Sequence, residues 1–256
     1  MKVVTSATEL PSACAFIPTM GALHAGHASL FSLGHTYSES VVASIFVNPL
    51  QFENEEDLAK YPRTPEKDIE LAEAAGVTHL WLPHHEEIYP AGFVKRSAGP
   101  IGDLYEGKSR PGHFDGVLTV VRRLFDLVKP RVAIFGEKDF QQLQLIKTIA
   151  AEVEIISAPT IRESDGLALS SRNIRLTPEG RAAATVIYTA LTQSRSEAEL
   201  REILLREKAF TLDYADFIDE KTFTHAQSTT ANIRALVAGW INGVRLIDNM
   251  AMGNRA

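Results

Sequence analysis

The sequence predicts an α/β protein: a parallel sheet with helices on both faces, followed by a smaller C-terminal α+β domain. Two observations carry this. Up to about residue 158, short β-branched apolar runs alternate with helical stretches, the pattern of a parallel sheet covered by helices. Beyond the SSRN segment at Ser170 the texture changes to two helical stretches and then three strand-like runs, as in a small antiparallel unit. These readings place the domains at residues 1–164 and 165–256.

In chain order, the strand candidates of the first domain are 15–18, 41–46, 79–82, 132–135 and 153–157. Each is almost continuously apolar, as a strand buried on both faces must be, although so short a run does not by itself exclude a buried helix. Thr64, Pro65 and Glu66 open a helix with a capping residue, a first-turn proline and an acid at the positive end of the dipole, and Gly76 closes it. A second helix is expected over 115–128, where Val117, Val120, Val121, Leu124 and Val128 form one apolar stripe and Pro130 follows. Between 83 and 114 periodicity fades, and KRSAGPIGDLYEGKSRPGHF reads as a long loop of the kind that often carries function. In the second domain Thr177, Pro178 and Glu179 open a helix to about 193. Another spans 196–208, and LDYADFID, NIRALVAGWI and GVRLIDNM follow as strands.

Composition narrows the function classes. The 256 residues are 45% hydrophobic and 23% charged, ordinary for a globular chain of one large core or two modest ones. The formal net charge of −6 argues against extended nucleic-acid binding, which normally shows a basic patch. No apolar run approaches the roughly 20 residues that cross a bilayer, and MKVVTSATELPSA lacks the basic start and apolar core of a secretion signal. The expectation is a cytoplasmic protein without a membrane partner. Cys14, the single cysteine, leaves no internal disulfide or thiolate zinc cluster, and it reads as a small apolar residue beside Phe16.

The residues suited to chemistry gather at strand ends, where an open α/β sheet binds its ligands. PTMGALHAGH follows the first strand candidate; His24 and His27, three apart, share a face if this turn is helical. Gly21 and Gly26 permit close backbone approach, and a helix start offers N–H groups to a phosphate. In SIFVNPLQF, Gln51 is suited to hydrogen-bond a small acid without setting a cation against its attacking carboxylate; the amide's structural alternative is satisfying loop backbone groups. FGEKDFQQL places Asp139 to cap the next helix, Lys138 to neutralise phosphate charge and Gln142 one turn on. IRESDGLALSSRN supplies Ser170, Ser171 and Arg172, hydroxyls and a guanidinium suited to a triphosphate. Taken alone, Lys138 is an ordinary solvated lysine and SSRN a cap or turn.

The HxGH arrangement is similar to the signature of the nucleotidylyltransferase superfamily. Together with YPRT at 61–64 and RPGHFDGVLTVV at 110–121, the four segments resemble the pantothenate synthetase family over most of the first 175 residues, and the second domain matches mainly in length and texture. The resemblance implies a Rossmann-like ATP- and pantoate-binding domain over 1–164, with 165–256 closing over the active site. It implies that pantoate, β-alanine and ATP become pantothenate, AMP and pyrophosphate through a pantoyl adenylate, with Mg²⁺, in a homodimer. By position, Met20, Gly21, Ala22, Leu23, His24, Ala25, Gly26 and His27 would bind ATP, with Gly136, Glu137, Lys138, Asp139, Ile161, Leu169, Ser170, Ser171 and Arg172. Gln51 and Gln142 would hold pantoate, Gln51 also lying near β-alanine. His27 would be the catalytic histidine, with His24, Lys138 and Arg172 stabilising phosphoryl charge. The departures are Ala25 in place of a common acid, Leu50 within NPxQF and Phe140 in place of a common tyrosine. The helix after Asp115 and the loop before it are expected at a dimer contact. Two rivals stay open: a different adenylyl-transferring enzyme, and a non-catalytic nucleotide-binding protein. The paired glutamines disfavour the first, and the retained His24, His27, Lys138 and Arg172 the second.

Overall fold

A computed structural model describes residues 1–253, without the side chain of Asp57. The chain divides into two compact units. One comprises Met1–Glu137 and Gln141–Pro159; the other comprises Lys138–Phe140 and the residues from Thr160 onward.

Among the described residues the first unit holds a six-stranded sheet: β1 (Lys2–Val4), β2 (Ala15–Thr19), β3 (Val41–Ile45), β4 (His79–Trp81), β5 (Val132–Gly136) and β6 (Glu154–Ala158), in the order β1-β4-β3-β2-β5-β6. Every neighbouring pair is parallel. The expected class is therefore the one found. β1 has no counterpart among the strand candidates, because three residues at a sheet edge are too few to show a pattern.

Alternation along the strands sends side chains to two cores. Phe16, Val42, Trp81, Ala133 and Phe135 pack on one face with Leu124 of helix His113–Val128 and Leu143 of helix Phe140–Ile149. Ile17, Val41, Ala43, Leu80 and Ile134 pack on the other with Phe31 of helix Ala25–Gly34 and Ala72 of helix Pro65–Ala74. Burying one such large side chain contributes about 1.5–3 kcal/mol, so both helix layers are held mainly by this surface.

The chain order positions the site. From β2 the chain winds through β3 to β4 on one side, then returns to β5 beside β2 and continues to β6, so the winding reverses between β2 and β5. That is the position where a doubly wound sheet opens a ligand crevice. β2 and β5 pair only through Ala15↔Val132 and Phe16↔Ala133, whereas β2 and β3 pair along the whole of β2. The two central strands thus part toward their C-terminal ends.

Residues 83–114 contain three one-turn helices, His85–Ile88, Gly99–Gly102 and Glu106–Ser109. Side chains of neighbouring elements tie them down. The Gln141 amide donates from Nε2 to the carbonyls of Ile101 (2.7 Å) and Leu104 (2.8 Å), and its Oε1 accepts from the Glu106 N–H (3.1 Å). Asp115 accepts from the Ala98 N–H at 2.7 Å.

The second unit carries helices Pro178–Ala183, Val186–Gln193 and Glu197–Arg206 over an antiparallel sheet of β7 (Thr211–Asp219), β8 (Ile233–Ile241) and β9 (Val244–Ala251). Its core includes Ile187, Leu191, Leu200, Leu204, Phe217 and Val237. The single helix expected to reach 193 is two, divided at Ala184–Thr185. Thr177 opens its helix as expected, accepting from Gly180, and Ser196 caps the next, accepting from Glu199. Asn242 and Gly243, both at positive φ (50° and 73°), form the tight β8–β9 turn.

Candidate active site

The turn leaving β2 is built against a buried carboxylate. Gly21 (φ 82°) and Ala22 (φ 50°) are both left-handed, and a Cβ on Gly21 would sit 2.9 Å from Asp68 Oδ2, so this position requires glycine. Asp68, on helix Pro65–Ala74 and 2% exposed, accepts the N–H groups of Ala22 (3.0 Å) and Leu23 (2.8 Å) and the hydroxyl of Thr64 (3.0 Å). Thr64 stands at the N-cap as the sequence suggests, but its hydroxyl serves this carboxylate and makes no capping bond.

The two histidines then cap helix Ala25–Gly34. His24 Nδ1 accepts the Gly26 N–H at 3.1 Å, and His27 Nδ1 accepts the His24 N–H at 3.3 Å, the rings lying 4.2 Å apart between centroids. A neutral imidazole that accepts through Nδ1 carries its proton on Nε2. Both rings are therefore set as Nε2–H donors. The sequence suggested bare amides at this helix start; those of Ala22, Leu23 and Gly26 already have protein partners. Met20 is half-buried and Ala25 exposed in the same turn.

At the end of β3, Asn48 and Gln51 are both buried. Asn48 Nδ2 donates to Gln51 Oε1 (2.8 Å) and to the Gly116 carbonyl (3.1 Å), while its Oδ1 accepts from the Leu50 N–H (3.2 Å) and the Tyr89 hydroxyl (2.6 Å). The Gln51 carbonyl accepts from His113 Nδ1 at 2.9 Å, and Arg110 donates to the other nitrogen of that ring at 3.0 Å. Helix His113–Val128 lies so close that a Cβ on Gly116 would fall 2.1 Å from the Leu50 carbonyl oxygen. Gln142 is half-buried in the first turn of helix Phe140–Ile149, and Gly136 and Glu137 end β5 and begin the turn before that helix.

In the second unit Lys138, Ser170, Arg172, Asn173, Arg245 and Asp248 line one shallow recess. Three cationic side chains on one recess suit a polyanion. Ser170 Oγ accepts the Arg172 N–H at 3.2 Å, and the Lys138 carbonyl accepts from Asn249 Nδ2 at 2.9 Å. Arg162 and Asp248 pair through two bonds, of 2.5 and 2.9 Å, holding the short return of residues 161–169 against β9. Leu169 and Ser171 lie half-buried along the segment, Ile161 is more exposed at its start, and Asp139 stands 3.9 Å from Lys138 Nζ. Phe140 is buried, stacked on Phe223 at 5.7 Å with the Arg234 guanidinium 4.0 Å over its ring, a packing site in which a phenylalanine needs no hydroxyl partner.

Within the first unit the structure thus gathers the His24–His27 pair with Gly21 and Ala22 on the turn after β2, and joins Gln51 to the end of helix His113–Val128. Within the second it gathers Lys138, Ser170 and Arg172. Sequence reasoning missed Asp68, Tyr89 and Gln141, which act through backbone or through another side chain, and no local spacing marks them.

A doubly wound parallel sheet with a paired-histidine helix cap beside its winding reversal defines the class: a Rossmann-like protein of the HxGH nucleotidylyltransferase type. Residues 1–251 match the family described as pantoate-beta-alanine ligase, and the chain belongs to that family. It is 47% identical over 257 residues to the pantothenate synthetase of Acidothermus cellulolyticus, covering 93% of this chain and 85% of that one. A crystal structure of pantothenate synthetase from Thermus thermophilus superposes with a TM-score of 0.93 at 42% identity, over 99% of this chain and 100% of that chain. Pantoate-beta-alanine ligase from Francisella tularensis, complexed with beta-gamma ATP and beta-alanine, gives 0.83 at 35% identity, with 100% of both chains covered.

Proposed function

We propose that this chain joins pantoate to β-alanine at the expense of ATP, releasing AMP and pyrophosphate. In the first step a pantoate carboxylate oxygen attacks the α-phosphorus, the bond to the bridging oxygen breaks and pyrophosphate leaves, giving pantoyl adenylate. In the second, the neutral amine of β-alanine attacks the acyl carbon and AMP leaves as the amide forms; the amine's proton passes to solvent or to the departing phosphate. Activation is needed because a carboxylate on its own would have to expel oxide.

Catalysis of the first step is positioning and charge stabilisation. His24 and His27 donate from Nε2 to phosphoryl oxygens, and Lys138 and Arg172 offset the charge of the triphosphate, with Ser170 and Ser171 as hydroxyl donors. Met20–His27, Gly136–Asp139, Ile161 and Leu169 complete the ATP contacts. Gln51 and Gln142 hold pantoate with neutral amides, which keeps its carboxylate nucleophilic.

Mg²⁺ belongs to this scheme as an ion carried by ATP, bound through phosphates and water. Among the described residues the histidine and carboxylate group with metal-ligand spacing is Glu197, Asp216 and His225, whose two carboxylates are both paired with Arg201. None of the three belongs to the segments assigned to ATP. A homodimer and a cytoplasmic location complete the proposal; no helix among the described residues is long and apolar enough to cross a membrane.

The observation that carries this reading is the histidine pair, capped into one tautomer at a strand end, in a chain that matches the family over 1–251. Its test is AMP formation requiring pantoate, β-alanine and ATP together. Pantoate should also support exchange of labelled pyrophosphate into ATP, which amino acids should not. His27→Ala should slow that exchange about 10²- to 10³-fold, the usual contribution of a positioned electrostatic donor. Exchange near the normal rate in this variant would remove His27 from its assigned role.

A further inference from the structure

We propose that Tyr89 is a positioning residue that fixes which end of the Gln51 amide meets pantoate. The inference rests on the assignment of Gln51 to pantoate. An amide side chain presents either a carbonyl or an amino group, and a carboxylate or hydroxyl oxygen accepts only from the second. Gln51 has its Oε1 turned to Asn48 Nδ2 at 2.8 Å, so its Nε2 is the end left for the acid. That orientation is only as firm as the orientation of Asn48.

Asn48 is fixed from both sides. The Gly116 carbonyl can only accept, so the atom facing it at 3.1 Å must be Nδ2, and the Leu50 N–H can only donate, so the atom facing it at 3.2 Å must be Oδ1. Both lie toward the long end of the ordinary N–H···O range. The shortest bond in the group is the Tyr89 hydroxyl on Oδ1, at 2.6 Å. A hydroxyl alone can donate or accept, so Tyr89 adds direction only if it stays a donor. It faces Oδ1, an amide oxygen that can only accept, so the hydroxyl donates; the ring is 7% exposed, and desolvation keeps the phenol proton in place. The ring itself is held by Phe93, at 4.6 Å between centroids, and by edge contacts with His85 and Phe46. Three links therefore run from an aromatic cluster to the substrate amide: Tyr89 to Asn48, Asn48 to Gln51, and Gln51 to the acid.

The test is steady-state kinetics on Tyr89→Phe, which keeps the ring, beside Gln51→Leu as the reference. A neutral hydrogen bond of this kind corresponds to about 3- to 10-fold in a binding constant. Tyr89→Phe should raise the KM for pantoate by about that factor, with the KM for ATP within twofold. kcat should fall less than the pantoate KM rises. An unchanged pantoate KM in Tyr89→Phe, with a raised one in Gln51→Leu, overturns the role of Tyr89 and leaves Gln51 in place. An unchanged pantoate KM in Gln51→Leu removes the pantoate assignment itself. Equal shifts for all three substrates, or a loss of kcat alone, mean general structural damage and also overturn the proposal. Asn48→Asp is the second variant, usable if Tyr89→Phe folds poorly. It puts an acceptor opposite Gln51, which must then turn its amino end inward, and a pantoate KM within twofold of the parent enzyme would refute the relay.

Discussion

Asp68→Asn tests how the turn that delivers the histidine pair is held. The carboxylate accepts two consecutive backbone N–H groups and one hydroxyl at 2.8 to 3.0 Å while only 2% exposed. Asparagine keeps one acceptor oxygen and turns an amino group toward the remaining partners, so a donor meets a donor inside the protein. A hydrogen bond to a charged group contributes about 1.5–3 kcal/mol, and the loss of one, with its partner left buried, amounts to about 2–4 kcal/mol. For a unit of this size that corresponds to a melting temperature lower by roughly 4–16 °C. The catalytic consequence is separate. Ala22 is held at a left-handed φ of 50° two residues before His24, and relaxation there moves both rings. A displacement near 1 Å costs about 10² in rate. Pantoate-dependent pyrophosphate exchange and a thermal melt read the two effects. Exchange within threefold of the parent enzyme and an unchanged melt would refute the reasoning.

Gly116→Ala should push the Pro49–Gln51 turn off helix His113–Val128, since the new methyl meets Leu50 carbonyl oxygen and backbone. Overpacking of this kind costs about 1–3 kcal/mol by denaturant titration, and pantoate KM should rise with it. Arg162→Met strands Asp248, whose side chain is 3% exposed, and should cost about 3–5 kcal/mol in urea unfolding; adding Asp248→Leu should recover most of it. Cys14 is fully buried, and desolvation pushes its thiol from an ordinary 9.0 up to about 12. At pH 8 it should resist an aromatic disulfide reagent in the folded enzyme and react after denaturation. Because the folded state holds this proton more tightly, its contribution to stability is complete below pH 9 and is lost as pH rises toward 12.

The parallel sheet was legible because strands covered on both faces are continuously apolar, and 15–18, 41–46 and 132–135 fall on β2, β3 and β5 to within a residue. The histidine pair was legible for a similar reason, since a spacing of three at a strand-to-helix turn is a local signal. Asp68 was not. It lies 46 residues from Ala22 and meets backbone, for which one residue type is as good as another in the sequence. Thr64 misled for the same reason: a threonine before Pro-Glu reads as a cap until a buried carboxylate competes for its hydroxyl. The stretch 83–114 lacks periodicity because its one-turn helices are held from outside, by Arg123, Gln141 and Asp115, and not by an apolar stripe of their own.

The interlocked rings at the start of helix Ala25–Gly34 complicate any scan of the site by truncation. Alanine at position 27 removes a proton donor and, at the same stroke, strips His24 of the acceptor for its backbone N–H. Part of the measured deficit then reports a frayed helix end. Asparagine restores an acceptor close to where Nδ1 stood without supplying Nε2, so the ratio between the two variants apportions scaffold and chemistry.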